Sequence, residues 1–180
     1  IILGVESNYS SYLYIDEAID QKPHSYIIAN VNLITMQSDT VQSNKYVQVD
    51  NGFITQIGDS ISDKSYPIID AEGLYLMPGL IDMHVHLEME YDKKTRIKKY
   101  ILNEADIAYN SVKFAELTLQ NGFTTVRDLG GSGVNISLKK AIKAGIIPGP
   151  RVFTAGKSLA TTGGHADPTN GSSRKFIGDP

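Results

Sequence analysis

The rhythm of hydrophobic and polar positions changes near residue 79. Before it, short apolar runs alternate with turn chemistry: 25–32 (SYIIANVN), 33–36, 46–49 and 53–57. Asn51-Gly52 falls between two of these runs and predicts a two-residue hairpin, because both residues tolerate positive φ. The pattern predicts a small antiparallel β domain, with 7–22 as a short amphipathic helix or an extended arm. After Met77-Pro78-Gly79 the order becomes strand (80–86), loop (87–103), helix (104–121, closed by Gly122) and strand (123–128). A turn, Gly130-Gly131-Ser132-Gly133, then leads to a helix (135–144, closed by Gly145) and a third strand (151–155). Ala108, Val112, Ala115 and Leu119 recur at spacings of three and four, a single buried stripe on the first helix. Strands alternating with helices predict βα units on a parallel sheet, so the fold class is α/β. Residues 161–180, rich in Gly, Thr, Ser, Asn and Pro, read as a loop.

Composition narrows the function classes. With 17 Lys and Arg against 20 Asp and Glu, the net charge is −3, and no strongly basic stretch offers neutralisation of a phosphate backbone. No nucleic-acid partner is expected. There is no Cys, which removes disulfides and thiolate metal sites and leaves His and carboxylates as the strong metal ligands. No apolar run approaches the roughly 20 residues that span a bilayer, so the chain is expected to be soluble, without a membrane partner. Position 1 is Ile, which implies that something upstream was removed or omitted. The compartment stays open between cytoplasm and, if an export signal was cleaved, periplasm or exterior.

The candidate chemistry lies in Asp82-Met83-His84-Val85-His86, at the end of an apolar strand. Strict alternation aims Asp82, His84 and His86 one way and Met83 and Val85 the other. Two imidazoles about 7 Å apart along a strand can share a metal above its carboxyl end; the plainer alternative is an exposed or hydrogen-bonded pair. Asp82 is read as a strand carboxylate capped by backbone amides, or as a partner that orients an imidazole. Arg127 and Asp128 are expected to form a buried ion pair or to brace the sheet's carboxyl end, the alternative being a substrate role. Glu88 and Glu90 read as a solvated loop face, and His24 as a surface residue. The Gly-rich turn has amides at a helix start where an anion can sit, but it lacks the Lys of a P-loop and is read as a connection.

Residues 69–87 (IDAEGLYLMPGLIDMHVHL) resemble the amidohydrolase superfamily. So do the hairpin over 47–57 and Gly122-Phe123-Thr124-Thr125-Val126-Arg127-Asp128-Leu129-Gly130. Gly149-Pro150-Arg151-Val152, followed by Gly163-Gly164-His165-Ala166-Asp167, is similar to the imidazolonepropionase-like and Xaa-Pro dipeptidase-like branch. The resemblance covers roughly residues 29–168. It implies a small β-sandwich-like domain of the urease-composite kind at 1–78, and strands 1 to 3 of an incomplete (β/α)8 TIM barrel at 79–180.

It further implies that His84 and His86 ligate one divalent cation, usually zinc, of a one- or two-metal centre. His165 would then contact the substrate's carbonyl or carboxylate, the alternative being a loop histidine bonded to backbone. The implied activity is hydrolysis of an amide or peptide C–N bond in a small-molecule substrate, dipeptide-like or a cyclic amide, by metal-activated water. A complete barrel takes about 250 residues. The family's remaining ligands and its general base are therefore expected elsewhere, in the same polypeptide or a second one, and homo-oligomerisation is compatible with either. The rival readings are a cyclic amidine deaminase of the same superfamily and a non-catalytic binding subunit.

Overall fold

The computed structural model describes residues 2–4, 25–63, 65–167 and 169. The segment predicted over 7–22, His24 and residues 170–180 lie outside them. The chain divides into two units, Ile1–Gly79 and Leu80–Pro180.

In the first unit, β1 (Ile2–Gly4), β2 (Tyr26–Leu33), β3 (Gln42–Asp50), β4 (Phe53–Gly58), β5 (Ile68–Asp70) and β6 (Tyr75–Met77) form one six-stranded sheet. β3 and β4 make the expected hairpin: Asp50 pairs with Phe53 across Asn51 (φ 48°) and Gly52 (φ 81°). The sheet is mixed, however, rather than antiparallel. β2 runs antiparallel to β3 but parallel to β5 and β6. The reason is the connection over 59–67, which returns the chain along the sheet and lays β5 and then β6 on the other edge of β2, in its own direction.

Asn30, left-handed at φ 53°, takes up the step between those two strands. Its Nδ2 donates to Asp70 Oδ1 (2.9 Å), and its carbonyl accepts from the Gly73 amide (2.8 Å). Ile28, Val31, Leu33, Val47, Ala71 and Leu76 form the core. Among the described residues of this unit there is no second sheet with which to build a sandwich.

In the second unit, β7 (Leu80–Val85), α1 (Thr95–Ile101), α2 (Glu104–Gln120), β8 (Phe123–Asp128), α3 (Val134–Lys143) and β9 (Arg151–Thr154) follow in order. The strands form a parallel sheet, β7-β8-β9, as two successive βαβ units. Leu87, Ala115, Val126, Leu138 and Val152 pack between sheet and helices. Arg127, Arg151 and Phe153 are exposed. Asn103 begins α2 with a reciprocal capping box to Asp106.

Two details differ from expectation. The loop over 87–103 contains α1, whose first turn is seeded by Asp92: its carboxylate accepts from the Lys94 amide (2.8 Å) and pairs with Lys98 (2.6 Å). The most buried positions of α2 are Ala115 and a polar residue, Ser111, which satisfies its hydroxyl on the Ala108 carbonyl (2.7 Å). Among the described residues, no helix is long and apolar enough to cross a membrane.

Candidate functional site

The two histidines meet at the carboxyl end of β7. His84 lies in the strand and His86 one residue past its end, with ring centroids 5.5 Å apart and planes inclined by 75°. The pair follows an irregularity in β7. Asp82 pairs with Val126 and Val85 with Asp128, so three steps on β7 match two on β8. This is one extra residue, a bulge. The Asp82 carboxylate accepts the amide of His84 (2.9 Å), drawing that N–H into a local turn at the irregularity. Asp82 is thus bonded to backbone, not to an imidazole, and the strict alternation expected over 82–86 is broken. Asp82 instead lines a hollow of about 370 Å³ with Val85, His86 and, from α2, Phe114, Leu117 and Thr118.

His86 is half-buried and its ring is fixed. Nδ1 lies 2.8 Å from the carbonyl oxygen of Gly130. A carbonyl only accepts, so in the neutral ring Nδ1 carries the proton and Nε2 presents its lone pair. A metal-ligating histidine typically has this arrangement, one ring nitrogen anchored to backbone and the other offered to the ion.

Behind His86 lies a buried polar cluster. Asp128 is fully buried; Oδ2 accepts from the Leu87 amide (3.0 Å), and Oδ1 accepts from the Gly130 amide (3.1 Å) and from Asn135 Nδ2 (3.0 Å). The expected Asp128–Arg127 ion pair is not formed. Neighbours on a strand face opposite ways, and Arg127 is exposed, its Nε donating to the Met83 carbonyl (2.8 Å). Arg127 therefore braces β7 from β8, while Asp128 is satisfied by N–H donors alone.

Glu88 corrects a second expectation. It is only 5% exposed, and its two oxygens accept from the Ser132 amide (2.6 Å) and the Asn135 amide (2.8 Å). α3 starts at Gly133 without a side-chain cap and without an acidic residue in its first turn, so Glu88 supplies the missing negative charge from another element. The Gly-rich turn does receive an anion, and that anion belongs to the chain itself. Gly131 makes this possible, because a Cβ there would lie 2.4 Å from the Glu88 carboxyl carbon. Glu90 is exposed as expected.

His165 is exposed in the loop that follows β9. Asp167 organises that loop, accepting from the amides of Gly163 (2.7 Å) and Thr169 (2.8 Å). His165 does not line the hollow beside His86, and no ring contact joins it to the histidine pair. Among the described residues there is no group of three or more His, Asp or Glu side chains poised to hold a metal. The donor chemistry of His84 and His86 nonetheless suits a divalent cation such as zinc, as two imidazoles of a larger set.

The second unit thus sets a histidine pair at the carboxyl end of a three-stranded parallel sheet with helices packed against it. The Amidohydrolase family profile matches residues 75–178, and the chain belongs to that family. Among solved structures, it is similar to a Xaa-Pro dipeptidase with methionine bound in its active site (42% identity, TM-score 0.76), over 84% of this chain and 38% of that one. It is also similar to a prolidase complexed with N-methylphosphonate-L-proline (29% identity, TM-score 0.73), over 87% of this chain and 36% of that one. Ochratoxinase of Aspergillus niger is 37% identical over 93 residues, 51% of this chain and 19% of that protein. The chain thus spans well under half the length of the relatives it matches.

Proposed function

We propose that this chain supplies the first metal-ligand pair of a metal-dependent hydrolase that cleaves an amide or peptide C–N bond in a dipeptide-like substrate. The observation that carries the reading is the anchored ring of His86, which offers Nε2 beside His84 at the carboxyl end of a parallel strand. Similarity to the Xaa-Pro dipeptidase and to the proline-phosphonate complex supports the substrate class.

When bound, a divalent cation such as zinc supplies acidification of water, whose pKa falls to about 7, and polarisation of the scissile carbonyl. His84 and His86 hold it by their ring nitrogens, with the Gly130 carbonyl keeping the His86 proton on Nδ1. His165 reaches the substrate's carbonyl or carboxylate from its loop. The remaining metal donors and the general base come from the rest of the barrel, on the same or a second polypeptide.

The test is metal analysis of the complete protein, together with hydrolysis of Xaa-Pro dipeptides before and after chelation. Divalent metal at stoichiometric level is expected, as is loss of hydrolysis in the His84→Ala, His86→Ala double variant. Absence of divalent metal, or unchanged hydrolysis in that variant, defeats the proposal. Ammonia release from a cyclic amidine, without peptide cleavage, would favour the deaminase reading.

A further inference from the structure

The hydrogen bonds around His86 close on a single side chain. Its ring is held by the Gly130 carbonyl; the amide of Gly130 is held by Asp128 Oδ1, and the amide of Leu87, next to His86 in the chain, by Asp128 Oδ2. We propose that Asp128 is the positioning residue for His86: one buried carboxylate grips both the segment that carries the ring and the loop that orients it, and so sets which ring nitrogen carries the proton. The inference rests on the reading of His86 as a metal ligand.

The surroundings show that this carboxylate is placed rather than incidental. It is completely buried and satisfied by N–H donors, an expensive way to keep a carboxylate in a core. Asn135 is buried with it and spends Nδ2 on both Asp128 Oδ1 (3.0 Å) and the Gly156 carbonyl (3.0 Å). This leaves Asn135 Oδ1 without a hydrogen-bond partner among the described residues. Buried acceptors are rarely left unpaired, so the amide is turned to serve the carboxylate at a cost to itself. Glu88, two residues beyond His86, then ties the same segment to the start of α3. Each residue of His86-Leu87-Glu88 is thus held from another element, His86 by the Gly130 carbonyl, Leu87 by the Asp128 carboxylate and Glu88 by the amides of Ser132 and Asn135, and Asp128 bonds both Leu87 and Gly130.

The experiment uses the complete protein with 15N-labelled histidine and the imidazole ring neutral, the His86 signals being assigned by their loss in His86→Asn. In the metal-free protein His86 is expected as the Nδ1–H tautomer, although free imidazoles of this kind favour Nε2–H. Asp128→Asn puts an amide in place of one acceptor oxygen and is expected to raise the Nε2–H population at least about tenfold. It should also weaken zinc binding, measured with zinc alone against a competing chelator, by about ten- to a hundredfold. Asn135→Ala, which removes one donor to Asp128 and leaves both backbone contacts, should move both readouts in the same direction by less; it is the variant to read if Asp128→Asn does not fold. An Nε2–H tautomer in the unaltered protein would overturn the proposal, as would a folded Asp128→Asn protein with tautomer and zinc affinity unchanged. An unaltered protein that shows the expected tautomer and its shift but binds no zinc upholds the positioning role of Asp128 and sinks the metal reading instead.

Discussion

The carbonyl oxygen of Gly130 and Nδ1 of His86 lie 2.8 Å apart, joining residues 44 positions distant in sequence. Gly130 adopts φ 139°, and a Cβ there would fall 2.0 Å from Ser158 Oγ. Gly130→Ala is therefore expected to lower stability by about 1–3 kcal/mol, through backbone strain and the clash together, and to weaken zinc binding by displacing the carbonyl. Adding Ser158→Ala should recover only part of the loss, because the backbone strain remains. Urea unfolding and chelator competition measure the two effects; a Gly130→Ala protein matching the parent in both would show that the loop has room to adjust.

Glu88 tests whether the start of α3 depends on a charge borrowed from the loop after β7. Glu88→Ala leaves the amides of Ser132 and Asn135 without their acceptor, at an expected cost of about 1–3 kcal/mol. Glu88→Gln retains one acceptor oxygen and should cost less. Equal unfolding midpoints for parent, Gln and Ala variants would contradict this account.

The first turn of α2 rests on the Asn103–Asp106 box, in which each side chain accepts the other's backbone amide at 3.0 Å. Asn103→Ala should cost about 1 kcal/mol. Because the hydrogen bonds of the box do not include either histidine, zinc affinity should stay at the parent value. A variant that keeps its stability but loses zinc would reverse the assignment.

Asp70 ties β5 to β2. Its carboxyl is held below the ordinary aspartate range, first by the hydrogen bond from the Glu72 amide and then by that from Asn30 Nδ2. A depressed folded-state pKa means that the unfolded chain takes up the proton first as pH falls. The stabilisation is thus fully present above the unfolded-state value and is lost as pH drops through the folded-state value. Asp70→Asn should remove that part of the acid-limb dependence and leave the pH dependence near neutrality unchanged. NMR titration of the Asp70 carboxyl carbon checks the direction, and a midpoint above the ordinary range would refute it.

Much of the fold could be read from the sequence because its signals are local. The Asn51-Gly52 turn, the period of α2 and the runs that became β7, β8 and β9 each express short-range preferences. What escaped depended on partners distant in the chain. The mixed character of the first sheet comes from where residues 59–67 deliver β5, which no periodicity encodes. At the site, the spacing of His84 and His86 was visible, but Glu88 read as a solvated loop residue because its acceptors' donors lie on Ser132 and Asn135. The usable clue was α3 itself: a helix opening on Gly133 with no acid in its first turn needs an acceptor from elsewhere. Asn135 gave no clue at all, since a helix-start Asn usually serves its own backbone, and here it serves Asp128.

The irregularity in β7 makes the local spacing a property of three residues rather than two. Asp82 takes the amide of His84, the strand gains a residue there, and the rings of the pair that follows lie 5.5 Å apart. Transplanting only the two histidines onto a regular strand would recover the letters but not the backbone that carries them here. A search or a design that treats Asp-x-His-x-His as one indivisible unit would carry the geometry with it.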